Sequence, residues 1–139
     1  MPGPILYIDR SRIKPGRLDD VRRMTVELAA FIEEREGQLL FYAFSIDEEA
    51  QRMTVLAVHP DTGSVERHMD VGGPAFRAFT DLIVMEAIEV YGEPSERVRE
   101  QLDDKARDLG DTVSVTVGRL HAGFSRLAEP DENAGGTTE

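Results

Sequence analysis

The sequence has 139 residues, of which 27 are acidic and 16 are basic, and its formal net charge is −11. This length is typical of one domain with its own core, and the acidic balance excludes nucleic acid and anionic membranes, which are bound through clustered Lys and Arg. Because the chain contains no cysteine, disulfides, thiolate metal sites and cysteine nucleophiles are excluded as well.

The first half of the chain predicts a strand, a helix and two further strands. The helix is indicated by apolar residues at helical spacing and by Gly37 just past its last turn. The two later strands are apolar on both faces, so they must be covered on both sides. The predicted limits are residues 5–13 for the first strand, 18–36 for the helix, and 38–46 and 53–59 for the other two strands.

The second half predicts two helices and a last strand. Gly72, Gly73 and Pro74 suit the start of a helix, and Phe76 and Phe79 begin an apolar stripe on it. The predicted limits are residues 74–90 for this helix, 95–109 for an additional helix and 112–117 for an alternating strand. Residues 64–66 could form a short helix of their own, and residues 119–127 could continue the last strand.

Residues 128–139 are small, polar and acidic, and they predict a disordered tail after a single domain over residues 1–127. No apolar run approaches the ~20 residues that span a bilayer. The start of the chain lacks the charged and apolar regions of a signal peptide. The sequence therefore predicts a cytoplasmic protein.

The order of predicted elements is βαββαβ with an extra helix before the last strand. This order predicts an α+β, ferredoxin-like fold, an antiparallel sheet with helices on one face. Because the middle strands are apolar on both faces, a second copy of the sheet is the simplest cover for the open face. We therefore expect a homodimer whose two sheets share a barrel-like core.

These features resemble the dimeric α+β barrel proteins, specifically the antibiotic biosynthesis monooxygenase-like group. The resemblance rests on His68, the polar linker 69–74 and the Phe76-x-x-Phe79 pair, and it covers residues 7–127. It implies a pocket between helices and sheet, an aromatic small-molecule ligand, and oxidation of a quinol or polycyclic phenol by O2 without a cofactor. Some members of the group bind haem, for which His68 is the one axial ligand that can be named here.

The sequence departs from the pattern of this group at several points. The tryptophan often found before the histidine is missing, Ala75 stands where a second histidine is common, and the insertion 95–109 is longer than the usual connection. These departures leave an alternative open, a non-catalytic dimeric module that binds a small ligand or a partner protein.

A cofactor-free oxygenase needs a base that converts a phenol into an electron-rich anion, and donors that orient the substrate. His68 is the candidate base, Tyr42 or Tyr7 could hydrogen-bond the substrate oxygen, and Arg119 could stabilise the developing oxyanion.

Further side chains could line the substrate pocket: Phe76, Phe79 and His121. His59, before a proline at a strand end, is expected to be exposed. The three histidines are scattered without ligand spacing, so no metal site is predicted.

Overall fold

The computed structural model describes residues 3–110 and 112–127. Its helices and strands alternate in the order expected for an α+β protein. In chain order they are β1 (Ile5–Ile13), α1 (Leu18–Arg35), β2 (Phe41–Asp47), β3 (Arg52–His59), α2 (Thr62–Val71), α3 (Gly73–Phe76), a 3₁₀ turn (Arg77–Asp81), β4 (Ile83–Tyr91), α4 (Glu96–Leu109) and β5 (Ser114–Gly118).

The five strands form one sheet in the order β2-β3-β1-β4-β5. The central strand β1 pairs antiparallel with β3 and β4, and β2 pairs antiparallel with β3. The predicted ferredoxin-like α+β fold is confirmed. The sheet is mixed rather than wholly antiparallel, however, because β5 runs parallel to β4.

The largest correction concerns the predicted second helix over residues 74–90. Residues 73–76 form only the short helix α3, and residues 83–91 are the strand β4. The second helix of the βαββαβ order is α2, which lies before Gly72. The predicted last strand is therefore a fifth strand added to the edge of the sheet.

A β-bulge explains why β4 resembles a helix in the sequence. The register with β1 shifts so that Arg10 pairs with Ala87 and Ser11 pairs with Met85. The buried positions consequently change phase, from Ile83 and Met85 to Ile88 and Val90. A bulge of this kind interrupts the period of two by which a strand is recognised.

The helices cover one face of the sheet, and the apolar core lies between the helices and that face. Along β1 the covered face carries Ile5, Tyr7, Asp9, Ser11 and Ile13, all buried. From α4, Val98, Leu102 and Leu109 complete this core. Within the described residues, no helix is both long and apolar enough to cross a membrane.

The opposite face of the sheet carries partly exposed apolar side chains, among them Leu6 and Phe41 at 36% and 49% exposure. A second copy of the chain would cover them, so the homodimer stays a prediction with this support.

Residues 119–127 do not continue β5, because β5 ends at Gly118. The predicted disordered tail over residues 128–139 lies outside the described residues, so the domain limits remain a prediction.

Candidate functional site

Several polar and titratable side chains lie between the helices and the sheet, where an apolar core would be expected. Most are buried, and Tyr42 and Lys105 are half-buried. We call this group the buried polar cluster; its members are Tyr7, Asp9, Glu36, Tyr42, His59, Ser64, His68 and Lys105.

His68 is held by a buried carboxylate. It lies on the inner face of α2, a helix whose first turn is capped by Asp61 accepting from the Ser64 backbone N–H at 2.9 Å. Its Nδ1 lies 3.0 and 2.9 Å from the two carboxylate oxygens of Glu36, directly after α1. Since the carboxylate can only accept, Nδ1 carries the proton and Nε2 is left to accept a proton.

His59 is buried at 1% exposure, which corrects the expectation that it would be exposed. Its Nδ1 lies 2.7 Å from the Ser64 hydroxyl, and its ring lies 5.6 Å from the ring of His68. Burial, together with the charge that His68 can carry, lowers the pKa of His59 to about 3. His59 is therefore neutral at neutral pH.

Tyr42 lies beside His68 in the buried polar cluster. Its ring lies 5.3 Å from the ring of His68 and 5.3 Å from that of Phe44. Burial, and then the negative charges of Asp9 and Glu36, raise the pKa of Tyr42 far above its ordinary value. Its hydroxyl consequently remains protonated and can donate a hydrogen bond.

Asp9 occupies the other end of the cluster. The Tyr7 hydroxyl donates to Asp9 Oδ2 at 2.6 Å, and Lys105 Nζ lies 3.3 Å from the same oxygen and 2.7 Å from the Tyr7 oxygen. The ammonium also lies 4.4 Å from the centre of the Phe76 ring, a cation–π contact. Burial lowers the pKa of Lys105, and Asp9 opposes that shift.

Two clefts reach this cluster from the surface. One of about 470 Å³ lies between α1 and β2 and is lined by Glu36 and Tyr42 together with apolar residues such as Ile32 and Leu39. Another of about 210 Å³ lies between α3 and α4 and includes Phe76 and Lys105 in its wall. The first is large enough for a small organic ligand, and Glu36, the partner of His68, lies in its wall.

The structure brings together three of the residues that the sequence singled out: His68, Tyr42 and Tyr7. Phe76 and Phe79 stack at 5.0 Å in the adjacent core, and Phe79 also stacks on Phe44. Two others lie elsewhere. Arg119 is exposed and pairs with exposed Glu93 at 3.5 Å, and His121 is exposed beside Leu6 and Val58 on the opposite face of the sheet.

Sequence reasoning missed Glu36, Asp9 and Lys105. Two of them carried a signal: Asp9 shares its strand face with Tyr7, and Lys105 lies at helical spacing between Leu102 and Leu109 on the buried stripe of α4. A charged residue at such positions is rarely buried without a partner. Glu36, in the turn after α1, carried no comparable signal.

Gly72 packs closely against the Glu36–His68 pair, so that a side chain at this position has no room. A Cβ at this position would lie 2.7 Å from Ile32 Cδ1, 3.1 Å from Glu36 Oε2 and 3.1 Å from His68 Cε1, whereas one at Gly73 would meet no atom within 4 Å. We expect Gly72→Ala to lower the free energy of unfolding by about 1–3 kcal/mol through overpacking. Gly73→Ala should change it by less than about 0.5 kcal/mol.

Urea denaturation of both variants checks this prediction, with Gly73→Ala as the matched control in the adjacent position. Equal free energies of unfolding for the two variants would contradict it, since only the room for a methyl group distinguishes the two sites.

No protein-family model matches the sequence, and no curated protein matches it either. Solved structures do match. MupZ from Pseudomonas fluorescens aligns with a TM-score of 0.69 and 15% identity over 89% of this chain and 95% of its own. A candidate antibiotic biosynthesis monooxygenase from Caulobacter crescentus CB15 aligns with a TM-score of 0.57 and 19% identity, over 64% of this chain and 88% of its own.

SnoaB from Streptomyces nogalater, a cofactor-independent oxygenase, aligns with a TM-score of 0.55 and 14% identity over 67% of this chain and 95% of its own. At such low identities these likenesses establish the fold and not the activity. The resemblance to antibiotic biosynthesis monooxygenase-like proteins is therefore confirmed for the fold.

Proposed function

We propose that this protein is a cofactor-independent oxygenase that acts on a phenolic or quinol aromatic substrate. The observation that carries the proposal is the buried Glu36–His68 pair with Tyr42 against the imidazole, since Glu36 and Tyr42 both lie in the wall of the cleft between α1 and β2. The same fold in SnoaB, a cofactor-independent oxygenase, makes this chemistry the first to test.

His68 is the base of the proposed reaction. Because Nδ1 donates to Glu36, Nε2 is free to take the proton of a substrate hydroxyl. The imidazolium that forms is stabilised by the buried carboxylate, whose side chain is 0% exposed. Burial of the pair away from water strengthens this attraction.

Tyr42 is the proposed donor to the substrate oxygen. Its hydroxyl remains protonated because burial and the neighbouring carboxylates raise its pKa. A donor at this place stabilises the phenolate, which is the species that can transfer an electron to O2. The ring of Phe44 lies edge-on against Tyr42 and stacks on Phe79 in the adjacent core.

The proposed reaction needs no external reductant. With 1-naphthol as substrate, one oxygen atom of O2 enters the ring as a carbonyl and the other leaves as water, so C10H8O and O2 give C10H6O2 and H2O. The substrate supplies all the electrons, since it is oxidised to the quinone. His68 returns the proton that it took when the water leaves.

Oxygen uptake with 1-naphthol and with 1,4-dihydroxynaphthalene tests the proposal. We expect His68→Gln and Glu36→Gln each to lower kcat/KM by roughly 10²-fold, the range of a lost general base. Tyr42→Phe should have a smaller effect, and Arg22→Gln on the exposed face of α1 is the control.

Oxygen uptake at the uncatalysed rate for every substrate would overturn the proposal. If the same compounds nevertheless raise the melting temperature, the alternative of a non-catalytic ligand-binding module would be supported instead.

A further inference from the structure

The cleft between α1 and β2 has an acidic side, which α1 and the turn after it provide. Ala29, Ile32 and Glu33 lie in its wall at helical spacing, and Glu36 continues this row directly after the helix. Glu33 is exposed, whereas the side chain of Glu36 is 0% exposed. One carboxylate therefore lies at the surface and the other in the interior, one helical turn apart.

The position of both carboxylates at the C-terminal end of α1 adds to the negative potential. The helix ends at Arg35, and its dipole places a partial negative charge at this end. Glu36 accepts hydrogen bonds from His68 and from the Gln38 amide at 3.1 Å. Because the proposed base is neutral before the reaction, these donors leave the negative charge of Glu36 in place.

No basic side chain balances this charge in the cleft wall. Among residues 3–110 and 112–127, the rest of the wall is uncharged and consists of Gly37, Leu39, Leu40, Phe41 and Tyr42. The basic residue in the last turn of α1, Arg35, lies over the Phe31 ring at 4.1 Å and binds Glu34 at 2.9 Å. The cleft is therefore negative both at its surface and in its interior.

We propose that this cleft selects its substrate by charge, taking neutral or cationic phenols and rejecting phenols that carry a carboxylate, with Glu33 as the specificity-determining residue. A substrate carboxylate would meet two negative groups and no cation in the wall, which raises the free energy of the wrong complex. A cationic group would instead pair with Glu33. This inference rests on the proposed function for the placement of a phenol in the cleft, beside Tyr42.

Three naphthols of nearly the same shape and different charge provide the test: 6-hydroxy-2-naphthoate, 6-hydroxy-2-naphthamide and 6-hydroxy-2-naphthamidine. Their dissociation constants are measured at neutral pH without oxygen, by NMR titration, and the amide signals of Gly37 and Tyr42 report binding in this cleft. We expect the amide to bind the wild-type protein about tenfold more tightly than the carboxylate, and the amidine at least as tightly as the amide.

Glu33→Lys is the informative variant, and the exposed position of Glu33 allows the substitution. It puts a cation where the substrate carboxylate meets a negative charge, so the preference for the amide over the carboxylate should fall from about tenfold to within about twofold. Glu27→Lys is the matched control. It makes the same change in net charge at an exposed position of α1 outside the cleft wall, and it should retain the preference.

Loss of the preference in Glu33→Lys, with the preference retained in Glu27→Lys, supports the inference. Equal binding of the three compounds to the wild-type protein, an undiminished preference in Glu33→Lys, or an equal loss in both variants would overturn it. Failure of all three compounds to bind would overturn it as well. Since no turnover is involved, absent oxygen uptake by a protein that binds them selectively would contradict the proposed function alone.

Discussion

Replacing Lys105 with Met should lower the free energy of unfolding by about 3–5 kcal/mol, the cost of leaving a buried charge without its partner. The side chain of Lys105 is 13% exposed and that of Asp9 is 0% exposed, so the Asp9 carboxylate gains little hydration when the ammonium is removed. Met retains most of the volume and the contact with the Phe76 ring. The loss therefore reports on charge rather than on packing.

The double variant Asp9→Asn with Lys105→Met is the control for this prediction. Removing both charges should restore most of the lost stability, since a buried pair can be replaced by neutral groups at little cost. Chemical denaturation of the single and double variants measures the difference. If the double variant were no more stable than Lys105→Met, Asp9 could not be the reason for the loss.

Acidification should lower the free energy of unfolding through the buried His59. The pKa of His59 is lowered to about 3 in the folded protein, against about 6.5 for an unperturbed histidine. The unfolded chain therefore binds a proton below pH 6.5 that the folded protein does not. This contribution to stability is complete above pH 6.5 and is lost as pH falls towards 3, by about 3 kcal/mol between pH 6.5 and pH 4.

Urea denaturation from pH 7 to pH 4 measures this loss as the difference between the wild-type protein and His59→Asn. The amide of Asn can retain a hydrogen bond to Ser64, and it does not titrate. The variant should be less stable at pH 7 but should lose about 3 kcal/mol less on acidification. His121→Asn, at an exposed position, is the control, and parallel curves for His59→Asn and the wild-type protein would contradict the prediction.

The spacing of apolar residues along the sequence was sufficient to predict most of the helices and strands. Apolar residues at helical spacing predicted α1, a run that is apolar on both faces predicted β3, and alternation predicted β5; these elements and β1 lie within one or two residues of their predicted limits. The helix α4 was predicted at residues 95–109 and lies at Glu96–Leu109, because Ser95 caps it and its stripe is amphipathic. The assignment failed at β4, where a bulge removes the alternation that identifies a strand.

The candidate site was only partly accessible from the sequence. His68, Tyr42 and Tyr7 were predicted from residue chemistry and family resemblance, and the structure places all three in the buried polar cluster. Arg119 and His121 lie apart from it because the chain leaves the sheet after Gly118 and runs along the other face. Their chemistry suited the site, but their position depends on where β5 ends.

The sequence by itself determined the α+β class and the shared strand face of Tyr7 and Asp9, because these depend on spacing along a single helix or strand. Only the tertiary structure decided which polar groups meet. Glu36 and His68 are 32 residues apart, and Lys105 is 96 residues from Asp9. Such pairs depend on the tertiary arrangement that brings Glu36 to His68 of α2 and Lys105 of α4 to Asp9 of β1. The spacing of residues along one helix or strand does not predict such pairs. A charge can be buried at low cost only when the fold places an oppositely charged or hydrogen-bonding partner beside it.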